Sequence, residues 1–424
     1  MEISKTKLDK AGESLAKEKW KDDAEYIIFD DIVDEYRKLH LEPLTKVMLK
    51  LQEWLSEFER SYYIAQRLKR KPQIIRKLKR FSVRLSQLQD IGGCRIIFES
   101  NDDIDDFITL MSSKLIKGRY FSIERIVDYR EKGRDDSGYR AVHIIAEKDK
   151  TKLEIQIRSR IQHYWAESIE RTSVVYGYYL KELEGNEVVL DYFKVTSNIF
   201  HEIESKRRPT NEQIKELDEL RTCSEKIIRD SDKRNIFDSF VNEAFIKAMI
   251  SRESSLKGNF QNWMIVFNWN TGAFNYWEVI PRNSEAAIRK YADYEKKWKA
   301  NEGYEVVMIG SSDVSTIRQT HSHYFGIETY DKILEDFGAS VVGFSKRNII
   351  DSDSRQILDK LHRHDNWGTN KCSLGTLKNH YCAGLLAFEE SMDVLEKMGL
   401  VVSYGLKGPV SLNIKKKVEI ESFI

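Results

Sequence analysis

Between Leu153 and Ser159 the chain reads LEIQIRS, a strict alternation of apolar and polar residues. In an extended strand neighbouring side chains point to opposite faces. Leu153, Ile155 and Ile157 therefore form one face, and Glu154, Gln156 and Arg158 the other. Taken alone, such a polar row is most simply the solvated side of a half-buried sheet. Upstream the period changes. From about Lys5 to Leu78 apolar residues recur at steps of three and four, among them Ile27, Ile28, Ile32, Tyr36 and Leu39, and this spacing predicts a helical lead. CRIIFES (94–100), bounded by Gly92 and Gly93 and by Asn101 and Asp102, predicts a strand whose two glycines allow a tight turn before it. Helical spacing resumes over 103–115. YFSIERIVDY, YRAVHIIAE and KLEIQIRS then follow as strands, and 162–170 as a helix. The sum predicts a mixed α/β unit, one sheet carrying helices, over 25–175 behind an N-terminal lead of 1–24.

Beyond Tyr176 the pattern turns helical and polar, predicting a connector over 176–257. NWMIVFNWNTGAFNYWEVI (262–280) has apolar runs on both sides of Asn270-Thr271-Gly272, a hairpin signal because Asn and Gly accept positive φ. With the lysine-rich helix after it and YEVVMIG, it predicts a separate small α/β domain over 258–335. Core is the simpler role for its tryptophans. The remainder, 336–424, reads as helices near 354–362 and 388–398 followed by a hairpin, the order of a winged helix.

Composition adds little about class beyond a soluble globular protein: 424 residues, 41% hydrophobic, 32% charged, net charge +1. The local distribution says more. RLKRKPQIIRKLKRFSVR (67–84) holds nine Lys or Arg and no acid, with Ile74, Ile75 and Leu78 interleaved, so it should be ordered and able to face phosphate. Cys94, Cys223, Cys372 and Cys382 form no disulfide framework, which points to a reducing cytoplasm. The trio Cys372, His380 and Cys382 lacks the spacing and fourth ligand of a zinc site. No signal peptide or membrane anchor is visible.

Asp90 and Glu154 lie at or in strands of the same predicted sheet, so their carboxylates could converge on Mg²⁺, a cation that takes oxygen ligands and leaves room for phosphate. Singly, Asp90 is more simply a turn acid, Tyr139 a core aromatic and His143 a structural histidine. Together the motifs change that balance. QDIGGCRIIF, VDY, SGYRAVH and LEIQIRSRIQHYWAE occur in this order, and over about 60–170 they resemble the synthetase domain of the RelA/SpoT family, which makes (p)ppGpp. The later WAESIE and YFGIETYDKIL resemble stand-alone members with a C-terminal extension, some of them toxins or phage-defence proteins.

The resemblance implies a nucleotidyltransferase-like mixed sheet flanked by helices, and transfer of the β,γ-pyrophosphate of ATP to the 3′-hydroxyl of GDP or GTP. It implies Arg67, Lys69, Lys77 and Arg95 as ATP contacts, with Arg67 and Arg95 sandwiching the adenine. It makes Asp90 and Glu154 the catalytic and Mg²⁺-binding acids, and assigns the acceptor to Tyr139, by stacking on its base, with His143, Gln156 and Arg158. Asp128 and Tyr129 would support. Several positions depart from the family: Gln73 replaces a serine, Val127 a lysine, Arg171 a histidine, and GRDDSGY carries Asp135 and Asp136 where a basic residue is usual. These leave the acceptor open between GDP or GTP, an adenine nucleotide and the 3′ end of tRNA. About sixty residues precede the motifs, so no hydrolase activity is expected. A different class of reading is an inactive synthetase fold serving as a nucleic-acid-binding or sensing regulator. No membrane partner is expected, and a homo-oligomer is open.

Overall fold

A computed structural model describes residues 3–118, 120–134, 137–231, 261–268, 273–280, 284–299, 302–311, 352–383, 385, 388–405, 408–421 and 423–424. The turn at 270–272, Asp135, Asp136, YFGIETYDKIL and the end of the expected connector lie outside these residues.

Two helices open the chain, α1 (Lys5–Lys17) and α2 (Asp23–Ser56), each started by a side-chain cap: Ser4 accepts from the amide of Lys7, and Asp22 from that of Glu25. The buried stripe of α2 is not the one expected. Phe29, Val33, Leu41, Leu44, Val47, Met48 and Leu51 face inward, while Ile27, Ile28 and Leu39 are exposed. The helical lead is also interrupted. Tyr62–Leu68 is a strand, β1, followed by α3 (Lys71–Phe81), so Arg67 stands on a sheet, Lys69 and Arg70 on the link, and Lys71 to Arg80 on a helix with Pro72 in its first turn. Next come β2 (Gly92–Phe98), α4 (Asn101–Lys117), β3 (Ser122–Asp128), β4 (Val142–Lys148), β5 (Thr151–Ser159) and α5 (Arg160–Tyr176). Gly92 and Gly93 belong to β2 rather than to a turn before it. The reason for Gly93 is close approach: a Cβ there would lie 2.7 Å from the carbonyl oxygen of Glu154 on β5.

Helices α6 (Glu187–Glu204) and α7 (Asn211–Ser231) follow, and then β6 (Gln261–Asn268), β7 (Ala273–Ile280), α8 (Ser284–Lys297) and β8 (Tyr304–Ser311). These last strands do not make a second sheet. One eight-stranded sheet runs β3-β4-β5-β2-β1-β8-β6-β7, with β2 and β5 parallel and every other pair antiparallel. The sheet is thus continuous across the boundary at 258, and β1 is an interior strand with β2 on one side and β8 on the other.

Alternation within the strands sends apolar residues to both faces. Ile265 and Phe267 join Trp263, Ile309 and residues of α5 and α6 in one core; Met264, Val266 and Met308 join Leu41 of α2 and Tyr291 of α8 in another. Under β2, β4 and β5, helices α2 and α4 bury Ile96, Phe98, Ile144 and Ile155. Trp263 is 2% exposed and stacks on Trp277 at 6.1 Å, so it serves the core.

Residues 352–424 have a core of their own. Helix α9 (Ser352–Arg363) leads to a bridge between Cys372 and Val410, a helical turn, α10 (Phe388–Lys397) and a hairpin of β9 (Val401–Ser403) and β10 (Val410–Leu412). Cys372 and Cys382 are buried in this core while His380 is exposed. Helix α10 presents Glu389, Asp393 and Glu396 to solvent.

Candidate active site

The sheet's open face carries a cleft of about 570 Å³. All ten residues singled out from the sequence line it: Arg67, Lys69, Lys77, Asp90, Arg95, Tyr139, His143, Glu154, Gln156 and Arg158. Strand register explains the convergence. Arg67 is opposite Gly93, Gly93 opposite Glu154, and Glu154 opposite Ile145; one step along, Arg95 is opposite Gln156 and Gln156 opposite His143. Two cross-strand rows therefore bring side chains distant in sequence to one face.

On β4, β5 and the segment leading into β4, five side chains close a ring. Tyr139 Oη lies 2.7 Å from His143 Nε2, and His143 Nδ1 lies 2.9 Å from Glu154 Oε1. Gln156 Nε2 donates to Glu154 Oε2 at 2.7 Å. Arg158 Nη2 donates both to Gln156 Oε1 at 3.0 Å and to Tyr139 Oη at 2.9 Å. Both branches from Arg158 end on the two oxygens of Glu154. Burial would by itself raise the Glu154 carboxyl, but the hydrogen bond and charge of His143 hold it well below the usual carboxylate range. Burial likewise opposes charge on Tyr139 and His143. Even so, Arg158 and His143 bring the phenol down to about 7, and Tyr139 with Glu154 lifts the imidazole to about 9. The contact between Tyr139 Oη and His143 Nε2 couples the titration of the two groups. Tyr129, expected to support, sets its ring edge-on to His143 at 5.3 Å; Asp128 instead pairs with Arg130 at 2.7 Å.

Across the cleft, Lys69 Nζ and Lys77 Nζ both donate to Asp90 Oδ2, at 2.6 and 2.8 Å. Burial disfavours the Asp90 charge, and the two ammonium groups outweigh it, leaving the carboxyl far below its ordinary range. Burial also depresses the Lys69 ammonium. Asp90 Oδ1 is buried and has no hydrogen-bond partner, and the same holds for Arg158 Nε and Nη1. Unpaired buried polar atoms are costly, and these belong to residues that line the cleft. Arg95 is 8% exposed and bonds Glu167 at 2.9 Å, more enclosed than a plane free to cover a base; burial and neighbouring Arg158 lower its guanidinium to about 10.

Asp90 and Glu154 both line a small recess beside Gly93 and Cys94, and their charges oppose each other. Among the described residues no three His, Cys, Asp or Glu side chains converge as a metal cluster.

The rim holds residues that sequence reasoning passed over. Lys181 Nζ bonds Glu170 at 2.8 Å and lies 5.9 Å from the Tyr139 ring centre. Glu182 accepts from Arg76 Nε at 3.0 Å and lies 3.3 Å from Arg80 Nη1, while Glu184 also pairs with Arg76, whose guanidinium stacks on Tyr179 at 3.5 Å. The alternating charges of KELE (181–184) are the single signal in the sequence, and they resemble any solvated turn.

Residues 66–181 match the family described as the region found in RelA / SpoT proteins. The small alarmone synthetase 1 of Bacillus subtilis, bound to its product pppGpp, is similar over 39% of this chain and 88% of its own, with 21% identity and a TM-score of 0.31. The small alarmone synthetase 2 of the same organism is similar over 39% and 90%, with 23% identity and a TM-score of 0.33. A GTP pyrophosphokinase family protein of Streptococcus pneumoniae is similar over 38% and 85%, with 23% identity and a TM-score of 0.30. No curated protein matches the chain. Among the described residues no helix is long and apolar enough to cross a membrane.

Proposed function

With residues 66–181 a RelA/SpoT region, we propose that this protein transfers the β,γ-pyrophosphate of ATP to the 3′-hydroxyl of a guanine nucleotide, GDP or GTP. The observation that carries this reading is the facing of two charge systems across one cleft. Arg67, Lys69 and Lys77 make a cationic wall suited to a polyphosphate, and the ring ending on Glu154 makes an opposite wall with an ionised base at its focus.

Lys69 and Lys77 hold the donor phosphates, exchanging part of their bond to Asp90 for phosphate oxygens. The unpaired Nε and Nη1 of Arg158 donate to an acceptor phosphate or ribose oxygen. His143 orients Glu154 and keeps it ionised, so that Glu154 can take the proton of the attacking 3′-hydroxyl. Tyr139 has its hydroxyl fixed by His143 and Arg158 and is 7% exposed within the core beside Trp165, so stacking of its ring on the acceptor base requires that enclosure to open. Asp90 Oδ1 and Glu154 are oxygen donors in one recess, and they suit Mg²⁺ sharing the remainder of its shell with phosphate and water. When bound, Mg²⁺ would neutralise charge on the donor phosphates. Positioning and charge compensation supply most of such a rate.

The test is to incubate the full chain with Mg²⁺ and ATP labelled on the γ-phosphate, offering GDP, GTP, ADP, ATP or tRNA. Label appearing in a guanosine 3′-pyrophosphate supports the reading. Label in an adenine nucleotide or tRNA replaces the acceptor, and label in none of them sinks the proposal.

A further inference from the structure

Arg37 of α2 is 1% exposed, among the largest fully buried side chains of the molecule. Its Nε donates to the backbone carbonyl of Lys69 at 3.0 Å. Nη1 donates to Asp34 Oδ1 at 3.1 Å and to Glu295 Oε2 at 2.7 Å, and Nη2 to Glu295 Oε1 at 3.3 Å. The guanidinium also lies over the Tyr291 ring at 4.7 Å. Glu295 and Tyr291 belong to α8, more than 250 residues downstream. The two residues after Lys69 are tied as well: Arg70 pairs with Glu305 of β8 at 2.8 Å, and Lys71 with Asp30 and Asp34 at 2.8 and 2.7 Å. Meanwhile β8 supplies the second partner strand of β1, opposite Gln66 and Arg67.

A forked guanidinium–carboxylate contact fixes direction as well as distance. Here that direction ends on the main chain that bears Lys69, while the Lys69 side chain faces the cleft and Asp90. We propose that Arg37 and Glu295 are positioning residues of the donor site: their buried pair fixes the main chain at Lys69, so that the grip on ATP depends on the unit formed by β6–β8 and α8. The proposal rests on the reading of Lys69 as a donor-phosphate contact. It assigns that unit to the working of the cleft, beyond its place in the core.

The measurement is calorimetric titration of the full chain with ATP and Mg²⁺, which needs no knowledge of the acceptor. Glu295→Gln keeps the shape and leaves Arg37 bonded to Asp34; Arg37→Lys keeps the charge and removes the fork. Each should weaken ATP binding about tenfold, the order seen when a contact supporting a binding group is lost. In turnover, the KM for ATP should rise more than the KM for the acceptor. A purely structural staple would lower the unfolding temperature without that selectivity, so ATP affinity within twofold of wild type in folded Glu295→Gln overturns the proposal. If Arg37→Lys does not fold, Glu295→Gln decides alone. A wild-type chain that binds no ATP overturns both this proposal and the functional reading, whereas binding by wild type followed by failure of the variants overturns this one only.

Discussion

Tyr139, His143, Glu154, Gln156 and Arg158 fall within twenty residues and bond to one another, whereas the main chain around Lys69 is held through Arg37 and Arg70 by carboxylates as far apart as Asp34 and Glu305. One wall of the cleft is locally built and bonded to itself. The other is assembled from α2, β1, α3, β8 and α8, with carboxylates brought from distant elements to pin basic residues. A self-contained network should fail when its own members change. An assembled wall should also fail when its remote supports change.

The largest effect is expected at the focus of the ring. In Glu154→Gln the charge that both branches converge on is gone, and Gln156 Nε2 loses one of its acceptor choices. Turnover should fall by roughly a thousandfold, the scale of losing a group that both bears charge and moves a proton at the reacting centre. ATP affinity should fall much less, because Lys69, Lys77 and Asp90 still hold the phosphates and the metal. Turnover within tenfold of wild type would remove Glu154 from the chemistry.

The same contrast decides what could be read from sequence. The ring was legible because strand alternation and the motif order place Glu154, Gln156 and Arg158 on one face beside Tyr139 and His143. Nothing local marks Arg37, which sits in a helical stripe where an apolar residue would be ordinary. Strand β1 was hidden for a similar reason: Tyr62–Leu68 is short, holds Ala65 and Gln66, and lies between long helices, so its period is ambiguous. The hairpin strands were visible as strands, yet their membership in the same sheet depends on β8 pairing with β1, a contact between residues more than 240 apart that no local pattern encodes. Gly93 was assigned a turn from its flexibility, when the strand needs its lack of a Cβ against Glu154.

The next effect concerns the scaffold behind the donor wall. His40 is 2% exposed, its Nδ1 is 2.8 Å from the Tyr36 carbonyl oxygen, and it packs behind Gly92. Burial lowers its pKa from 6.5 to about 4, which the backbone bond only partly offsets. As pH falls, the unfolded chain therefore takes up this proton first. Its contribution is complete above the unfolded value near 6.5 and lost as pH drops toward 4, amounting to about 3 kcal/mol by linkage. Urea unfolding from pH 7 to pH 4 should show a flatter acid limb in His40→Asn than in wild type, whatever the difference at neutral pH. Parallel acid limbs would mean that His40 is already solvated in the folded protein.

The smallest effect should appear at the rim, where the two walls meet. Glu182 is an acid in a cleft otherwise suited to phosphate, and it occupies Arg76 and Arg80, two guanidiniums on the helix that also carries Lys77. Its side chain is 22% exposed, so as a stabilising pair it is worth under about 1 kcal/mol. Its influence on the local field is a separate matter. Glu182→Gln leaves Arg76 with Glu184 but frees Arg80 and removes a negative charge facing the donor phosphates. ATP affinity should rise by roughly two- to threefold at low ionic strength, and the gain should fade by about 0.3 M salt as the Debye length contracts. The unfolding midpoint should barely move. An affinity that falls instead would mean that Arg76 and Arg80 serve the cleft through the geometry Glu182 imposes, which would extend to the rim the remote support seen at Lys69.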